Sequence, residues 1–166
     1  MIYLIFFPFI LQVLIIFFDE FYFHIKRDLP RWERIGHPLD TLTVLLCFVY
    51  VLFFPYDAWH LKIYIGIALF SCIFVTKDEF VHKECCPASE QWLHALLFLN
   101  HPIILALLGV IWPLHSAEHL PAFLLSFEED RGLVSGFLWM QTLFIGLFAL
   151  YQALYWNVLR KKDETR

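Results

Sequence analysis

A motif that combines carboxylates with a histidine occurs twice in this chain of 166 residues. The first copy reads DEFYFH at 19–24, the second reads DEFVH at 78–82, and both stand at the end of an apolar run. A charged loop and a His-Pro step follow each copy, at 37–38 and at 101–102. Carboxylates and imidazoles are costly to keep in apolar surroundings, so their repetition at helix ends predicts a metal site.

The spacing within the two copies places each carboxylate and its histidine on one helix face. Glu20 and His24 are four residues apart, and Glu79 and His82 are three apart. Side chains at these offsets are neighbours on a helix surface. We therefore expect each pair to project together from its helix.

Two further apolar runs begin with comparable groups. His37 and Asp40 share the first turn of the second run if that helix begins at the His-Pro step. In the fourth run, Glu90, His94 and His101 follow at offsets of four and eleven, which is one face over three turns. Four helices would then each present a carboxylate and at least one imidazole at the same depth.

The chemical logic is that of the di-iron and di-manganese bundles, in which four helices donate Glu residues and Glu-x-x-His pairs to two metals. Oxygen and nitrogen donors favour iron, manganese or zinc, and we expect iron. Two ions suit the number of donors, because one ion would leave several buried ionisable groups without a partner. Glu20 and Glu79 are the predicted catalytic residues, and the predicted ligands are Glu20, His24, His37, Asp40, Glu79, His82, Glu90, His94 and His101.

A simpler interpretation assigns the same residues to helix ends. A histidine in the last turn of a helix interacts favourably with the helix dipole. The acidic residues of the two motif copies would then pair with Lys26, Lys77 or Lys83 at the membrane surface. Recurrence of the pairs on several helices favours the metal site over this interpretation.

The elements that must position these residues are membrane helices. Hydrophobic residues make up 60% of the chain, aromatic residues make up 19%, and the mean hydropathy is +0.65, values that indicate an integral membrane protein. Stretches of about 20 apolar residues can cross a bilayer as helices. The predicted spans are 2–23, 39–58, 61–77, 91–113 and 134–158.

The distribution of positive charge predicts the orientation. Ten of the twelve Lys and Arg residues lie in the first loop, the third loop and the C-terminal tail. Because such residues concentrate in the cytoplasm, we expect the N-terminus outside, the C-terminus in the cytoplasm and the metal site near the cytoplasmic face. Six tryptophans stand mostly near span ends and are predicted to be interfacial anchors.

The internal repeat predicts the architecture of a single all-α membrane domain over 1–166. Repeat A (1–58) and repeat B (61–113) would be parallel helical hairpins related by a pseudo-two-fold axis. The fifth helix (134–159) is unpaired and contains no His, Asp or Glu up to Leu159. We expect it to pack against the bundle.

A second polar cluster follows the fourth span. His115 and His119 are four residues apart, with Glu118 between them. The charge distribution puts this cluster on the other side of the membrane, too far from the first to share a metal. It is either a solvated loop or a second, weaker metal site.

The predicted function is an O2-dependent hydroxylase or desaturase that acts on a lipid or another apolar substrate at a di-iron centre. Such an enzyme would need an electron-donor protein as partner. A zinc-dependent lipid hydrolase is the first alternative, and a carrier of metal ions or protons is the second. Nucleic-acid binding is not indicated, because the net charge is −4 and the basic residues are explained by topology.

Overall fold

A computed structural model of the chain describes residues 2–78 and 87–160. Within these ranges the chain contains no strand, and five helices are long and apolar enough to cross a membrane. The prediction of an all-α chain with five apolar spans is therefore confirmed at the level of helix length and composition.

The five helices, numbered in chain order, continue past their α-helical parts at several ends. The bounds are α1 (Tyr3–Phe18), continued by a π-helix (Asp19–His24) and a last α-turn (Ile25–Arg27); α2 (Arg31–Phe53); α3 (Ala58–Phe74), continued by a 3-10 helix (Val75–Asp78); α4 (Ala88–Ser116); and α5 (Arg131–Leu154), continued by a π-helix (Tyr155–Leu159). A 3-10 helix (Ala122–Asp130) connects α4 to α5.

Helix α2 begins at Arg31, eight residues before the predicted start of its span at 39. The segment 31–38 is too polar to register as apolar, yet it continues the helix, and Pro38 lies inside it. A proline inside a helix removes the hydrogen bond to the carbonyl four residues earlier. Here that carbonyl belongs to Arg34, and it accepts a hydrogen bond of 3.0 Å from the Asn157 side chain. A neighbouring helix thus satisfies the group that Pro38 leaves open.

The core lies between α1, α2, α4 and α5. Helix α1 packs on α4, and α2 packs on α5, α3 and α4. Aromatic pairs join α1 to α5, with the ring of Phe137 centred 4.0 Å from that of Phe6 and 5.4 Å from that of Phe9. Helix α3 is the outermost helix, since 11% of its span is buried against 44% for α2.

The repeat of two parallel hairpins stays a prediction. Within the described ranges, α1 packs most extensively on α4, and α2 packs most extensively on α5. Each of these contacts joins a helix of one predicted unit to a helix of another. The orientation relative to the cytoplasm likewise stays a prediction.

One end of the bundle brings together the end of α1 and the first turns of α2 and α4, which carry the described motif residues. The chain reverses between α1 and α2 at Asp28, which has a φ of 65°, a conformation that non-glycine residues seldom adopt. Leu29 is buried directly after this turn. The reversal brings the first turns of α2 beside the π-helix of α1, so that the rings of His24 and His37 are 4.7 Å apart.

Candidate metal centre

Seven carboxylate and imidazole side chains meet at this end of the bundle, and we call them the polar cluster. Three helices contribute them, and apart from half-buried His37 each residue is 5% exposed or less. The members are Asp19, Glu20 and His24 from the π-helix of α1, Glu33 and His37 from α2, and Glu90 and His94 from α4.

Four members of the polar cluster form a group with metal-binding geometry. One donor atom from each of Asp19, His24, Glu90 and His94 lies within 4.8 Å of the others. Nε2 of His24 is 3.1 Å from Oδ2 of Asp19 and 3.7 Å from Oε1 of Glu90. Nε2 of His94 is 3.1 Å from both carboxylate oxygens of Asp19. Two nitrogens and up to four oxygens are a donor set that suits iron, manganese or zinc.

A second group shares one residue with the first. Donor atoms of His24, Glu33 and His37 also lie within 4.8 Å of one another, and Nε2 of His37 is 3.9 Å from Oε2 of Glu33. Nε2 of His24 is buried, and among the described residues it has no well-aligned hydrogen bond. This nitrogen faces the carboxylate oxygens of Asp19 and Glu90, where it can bind one ion.

The π-helix explains how Asp19 and His24 come together. In a π-helix, backbone hydrogen bonds join residues five apart, so residues at this offset lie close to one face. Asp19 and His24 have this offset, and Glu20 is one turn before His24. An α-helix would turn Asp19 away from His24 by well over a quarter turn. π-helical turns are rare and often occur at functional sites.

Glu20 lies behind His24 and not between the ligand groups. Its Oε2 is 3.2 Å from Nδ1 of His24, and its Oε1 accepts a hydrogen bond of 2.6 Å from Nε1 of Trp156. A carboxylate in this position fixes the tautomer of the ring and directs the other ring nitrogen outward. Trp156 is fully buried, so it is a structural partner of Glu20 and not the interfacial anchor that its place in the sequence predicts.

The polar cluster carries more acidic than basic groups. Asp19, Glu20, Glu33 and Glu90 are four carboxylates at 5% exposure or less. Asp19 and Glu20 contact imidazoles of the cluster, and Glu20 also hydrogen-bonds to the Trp156 indole and to the Tyr151 hydroxyl. Buried charge of one sign is expensive unless a counter-charge accompanies it. A divalent cation bound by the polar cluster would add counter-charge to these carboxylates.

The remaining sequence-predicted ligands are placed differently. Asp40 lies outside both groups and forms an ion pair of 2.5 Å with Lys77. His101 is seven residues along α4 from His94, about 10 Å deeper, and hydrogen-bonds to Ser71 at 3.0 Å. Glu79 and His82 lie outside the described residues, so they stay predictions.

Two members of the polar cluster were missed by the interpretation of the sequence. Asp19 belongs to the first motif copy but is not among the predicted ligands, and Glu33 lies outside the predicted spans. A signal for Glu33 was nevertheless present, because Glu-x-x-x-His occurs at 20–24, 33–37 and 90–94. Each of these pairs places its carboxylate and imidazole one helical turn apart.

A mostly apolar cavity extends from the polar cluster into the middle of the bundle, between α1, α2, α4 and α5. Its atom-free space is about 1090 Å³, including the part at its mouth that is open to the outside. The walls are mainly aromatic and aliphatic, and they include Val13, Ile16, Phe17, Val44, Leu97, Phe98, Phe144, Ile145 and Phe148. Ligand sites commonly combine such walls with a few polar groups.

The opposite end of the bundle shows no comparable group among the described residues. His115 is held by Oγ of Ser135 at 2.9 Å and by the Leu52 carbonyl at 3.2 Å. These bonds give His115 a structural task between α2, α4 and α5. The metal groups found in the described ranges include neither His115 nor His119.

Comparisons with protein-family models, curated proteins and solved structures found no match to this chain. The chemistry of the polar cluster and the shape of the cavity are therefore the basis for a function.

Proposed function

We propose that the protein is an integral membrane metalloenzyme that uses dioxygen to hydroxylate or desaturate an apolar chain, with iron as the expected metal. One observation carries the proposal: a buried cluster with metal-binding geometry stands at the end of a mostly apolar cavity. The polar cluster would hold the metal, and the cavity would hold the hydrocarbon part of the substrate against it.

Two ions are proposed because the donors form two overlapping groups. Asp19, His24, Glu90 and His94 would hold the first ion. Since Nε2 of His24 can bind only one ion, the second ion would rest on Glu33 and His37 together with carboxylate oxygens of the first group. The sequence predicts Glu79 and His82 as its further ligands.

The walls of the cavity favour oxidation over hydrolysis. They include Phe17, Phe98, Phe144 and Phe148, apolar rings that suit a hydrocarbon segment of the substrate. A hydrocarbon segment offers C–H bonds, and these are changed by oxidation and not by hydrolysis.

The metal, when bound, would supply the activation of dioxygen. In hydroxylation, one C–H bond becomes C–OH and the second oxygen atom leaves as water, which takes up two protons and two electrons. In desaturation, two C–H bonds are lost and both oxygen atoms leave as water, again with two protons and two electrons supplied. The electrons would come from a reduced electron-donor protein.

The chain's own residues would prepare the centre for this reaction. Glu20 accepts the Nδ1 hydrogen of His24 and so leaves Nε2 as the ligating atom. The Trp156 indole holds Glu20 in place, because it can only donate. The aromatic walls exclude water from the space between the polar cluster and the substrate.

Metal analysis of the detergent-purified protein tests the proposal. We expect about two iron ions per chain, as in carboxylate bundles that bind two metals. His94→Ala should remove at least one of them, since both Asp19 oxygens face this ring. His60→Ala is the matched control, because His60 lies at the other end of the bundle and pairs with Asp57 at 2.6 Å.

Three outcomes would contradict the proposal. Full metal content in His94→Ala would remove the polar cluster from consideration. Zinc in place of iron would point to hydrolysis with a metal-activated water. Iron without substrate-dependent dioxygen consumption, measured with a reduced electron donor and a membrane lipid extract, would exclude oxidation of a lipid.

A further inference from the structure

Gln141 stands apart from the other polar side chains that line the cavity. It is 7% exposed, and among the described residues its amide makes no side-chain hydrogen bond. The other two glutamines of the cavity are engaged: Gln152 accepts from Thr41 at 2.7 Å, and Gln12 accepts from Asn100 at 2.8 Å. The Gln141 amide thus faces the cavity with both its donors and its acceptor available.

Gln141 lies at the deep end of the cavity. Four residues before it, Phe137 contacts Phe9, and three residues after it, Phe144 contacts Phe17. Gln141 therefore lies beside the part of α1 between Phe9 and Phe17, at about the depth of Gln12 in the bundle.

The distance from the polar cluster to the level of Gln141 can be counted along α1 and along α4, and the two values agree. Gln12 is seven residues from Asp19 on α1, and Asn100 is six residues from His94 on α4. At a rise of about 1.5 Å per residue, these separations are about 10 Å and about 9 Å. The cavity between the polar cluster and the level of Gln141 is therefore about 10 Å long, and its lining is mostly apolar, with Thr41 and Gln152 bonded to each other as further polar residues.

We propose that Gln141, which lines the cavity at about the level of Gln12, binds an uncharged oxygen of the substrate, either a hydroxyl or a carbonyl. The proposal rests on the proposed function, because it takes the cavity as the substrate site. It narrows the substrate from any lipid to a long-chain alcohol or ketone oxidised about 10 Å from its oxygen.

The charge of the cavity supports an uncharged group. Among the described residues that line it there is no lysine or arginine, and at the level of Gln141 the polar groups are amides and the His101 imidazole, whose Nε2 is 3.0 Å from Oγ of Ser71. A carboxylate at this depth would be buried without a cation, which is expensive. An amide can donate to a carbonyl oxygen and can also accept from a hydroxyl, so it suits both neutral groups.

The test compares two probes on the full-length protein as purified in detergent. The probes are a long-chain primary alkanol and the alkane of equal length, at equal mole fractions in the micelle, and binding is measured by the rise in Tm. We expect the alkanol to bind about tenfold more tightly, which is the effect of one net hydrogen bond in a buried site. Gln141→Met should abolish this preference, and the control Gln152→Met on the same helix should retain it.

Two outcomes would overturn the subsite. One is equal binding of the two probes by the wild type, as expected if water alone occupies the site. The other is an unchanged preference in Gln141→Met. If this variant does not fold, the wild-type comparison decides. Bound iron with no alkanol preference would support the proposed function and contradict the subsite. An alkanol preference without bound metal would support the subsite and contradict the proposed function.

Discussion

Removal of one hydrogen-bond donor from Trp156 is the most informative perturbation of the metal centre. Trp156→Phe keeps an aromatic ring at this buried position but deletes the Nε1 donor, which is 2.6 Å from Oε1 of Glu20. A hydrogen bond to a charged group contributes about 1.5–3 kcal/mol. Because Glu20 orients His24, the larger effect should be on the metal, and loss of such a supporting contact lowers metal affinity about 10- to 100-fold.

Trp112→Phe is the matched control. Trp112 is also fully buried and also donates from Nε1, but its acceptor is the Phe54 carbonyl at 3.2 Å, at the other end of the bundle. This neutral bond contributes about 0.5–1.5 kcal/mol. Both variants lose the same atoms from the core, so both should unfold at a lower temperature. Only Trp156→Phe should bind metal more weakly.

The assay is competition with a chelator of known affinity, applied to the purified wild type and both variants. The expected result is a large shift in apparent metal affinity for Trp156→Phe and none for Trp112→Phe. Equal affinities in all three proteins would refute the assignment of Glu20 as the group that orients His24. Equal loss in both variants would mean that metal affinity follows general stability and not this contact.

Two further predictions concern residues outside the metal groups. Asp40→Asn should keep full metal content, because Asp40 pairs with Lys77 and lies outside both groups, and a fall in metal content would make Asp40 a ligand after all. Asp57 caps α3 by accepting from the backbone N–H groups of His60 and Trp59, and the His60 hydrogen bonds, backbone before side chain, lower its pKa. A lowered pKa stabilises the fold above the unfolded-state pKa and is lost as the pH falls through the folded-state pKa. The Tm advantage of the wild type over Asp57→Asn should therefore be full at neutral pH and shrink below about pH 4, and an advantage that persists in acid would exclude this cause.

The spans could be predicted because membrane helices are marked by composition alone. The exception is the start of α2, where the polar segment 31–38 continues the helix beyond the apolar run. Hydropathy does not detect such an extension, since it measures solvent preference and not backbone conformation. The same omission hid Glu33, although the spacing from Glu33 to His37 repeats that of the other pairs.

Of the residues in the metal centre, only those that are paired at α-helical spacing could be predicted from the sequence. Glu20 and His24, and Glu90 and His94, are one turn apart and do share a face. Asp19 joins them through a π-helical turn, and such turns are too rare to be expected from the sequence. The partner of Asp40 was equally beyond prediction, because the 3-10 helix after α3 carries Lys77 to it.

Because of the π-helix at the end of α1, the alignment of the metal donors depends on the number of residues between Asp19 and His24. One residue removed between Asp19 and His24 would restore α-helical winding and leave the pair four residues apart, an offset that still shares a helix face. One residue inserted between them would leave the pair six residues apart and turn the two side chains to different faces. After such an insertion the apolar part of α1 would remain intact and every donor would keep its chemical type, yet Asp19 and His24 would no longer face one ion. In this segment, therefore, single-residue insertions should be tolerated less well than most substitutions of Phe21, Tyr22 or Phe23, whose side chains are exposed or half-buried.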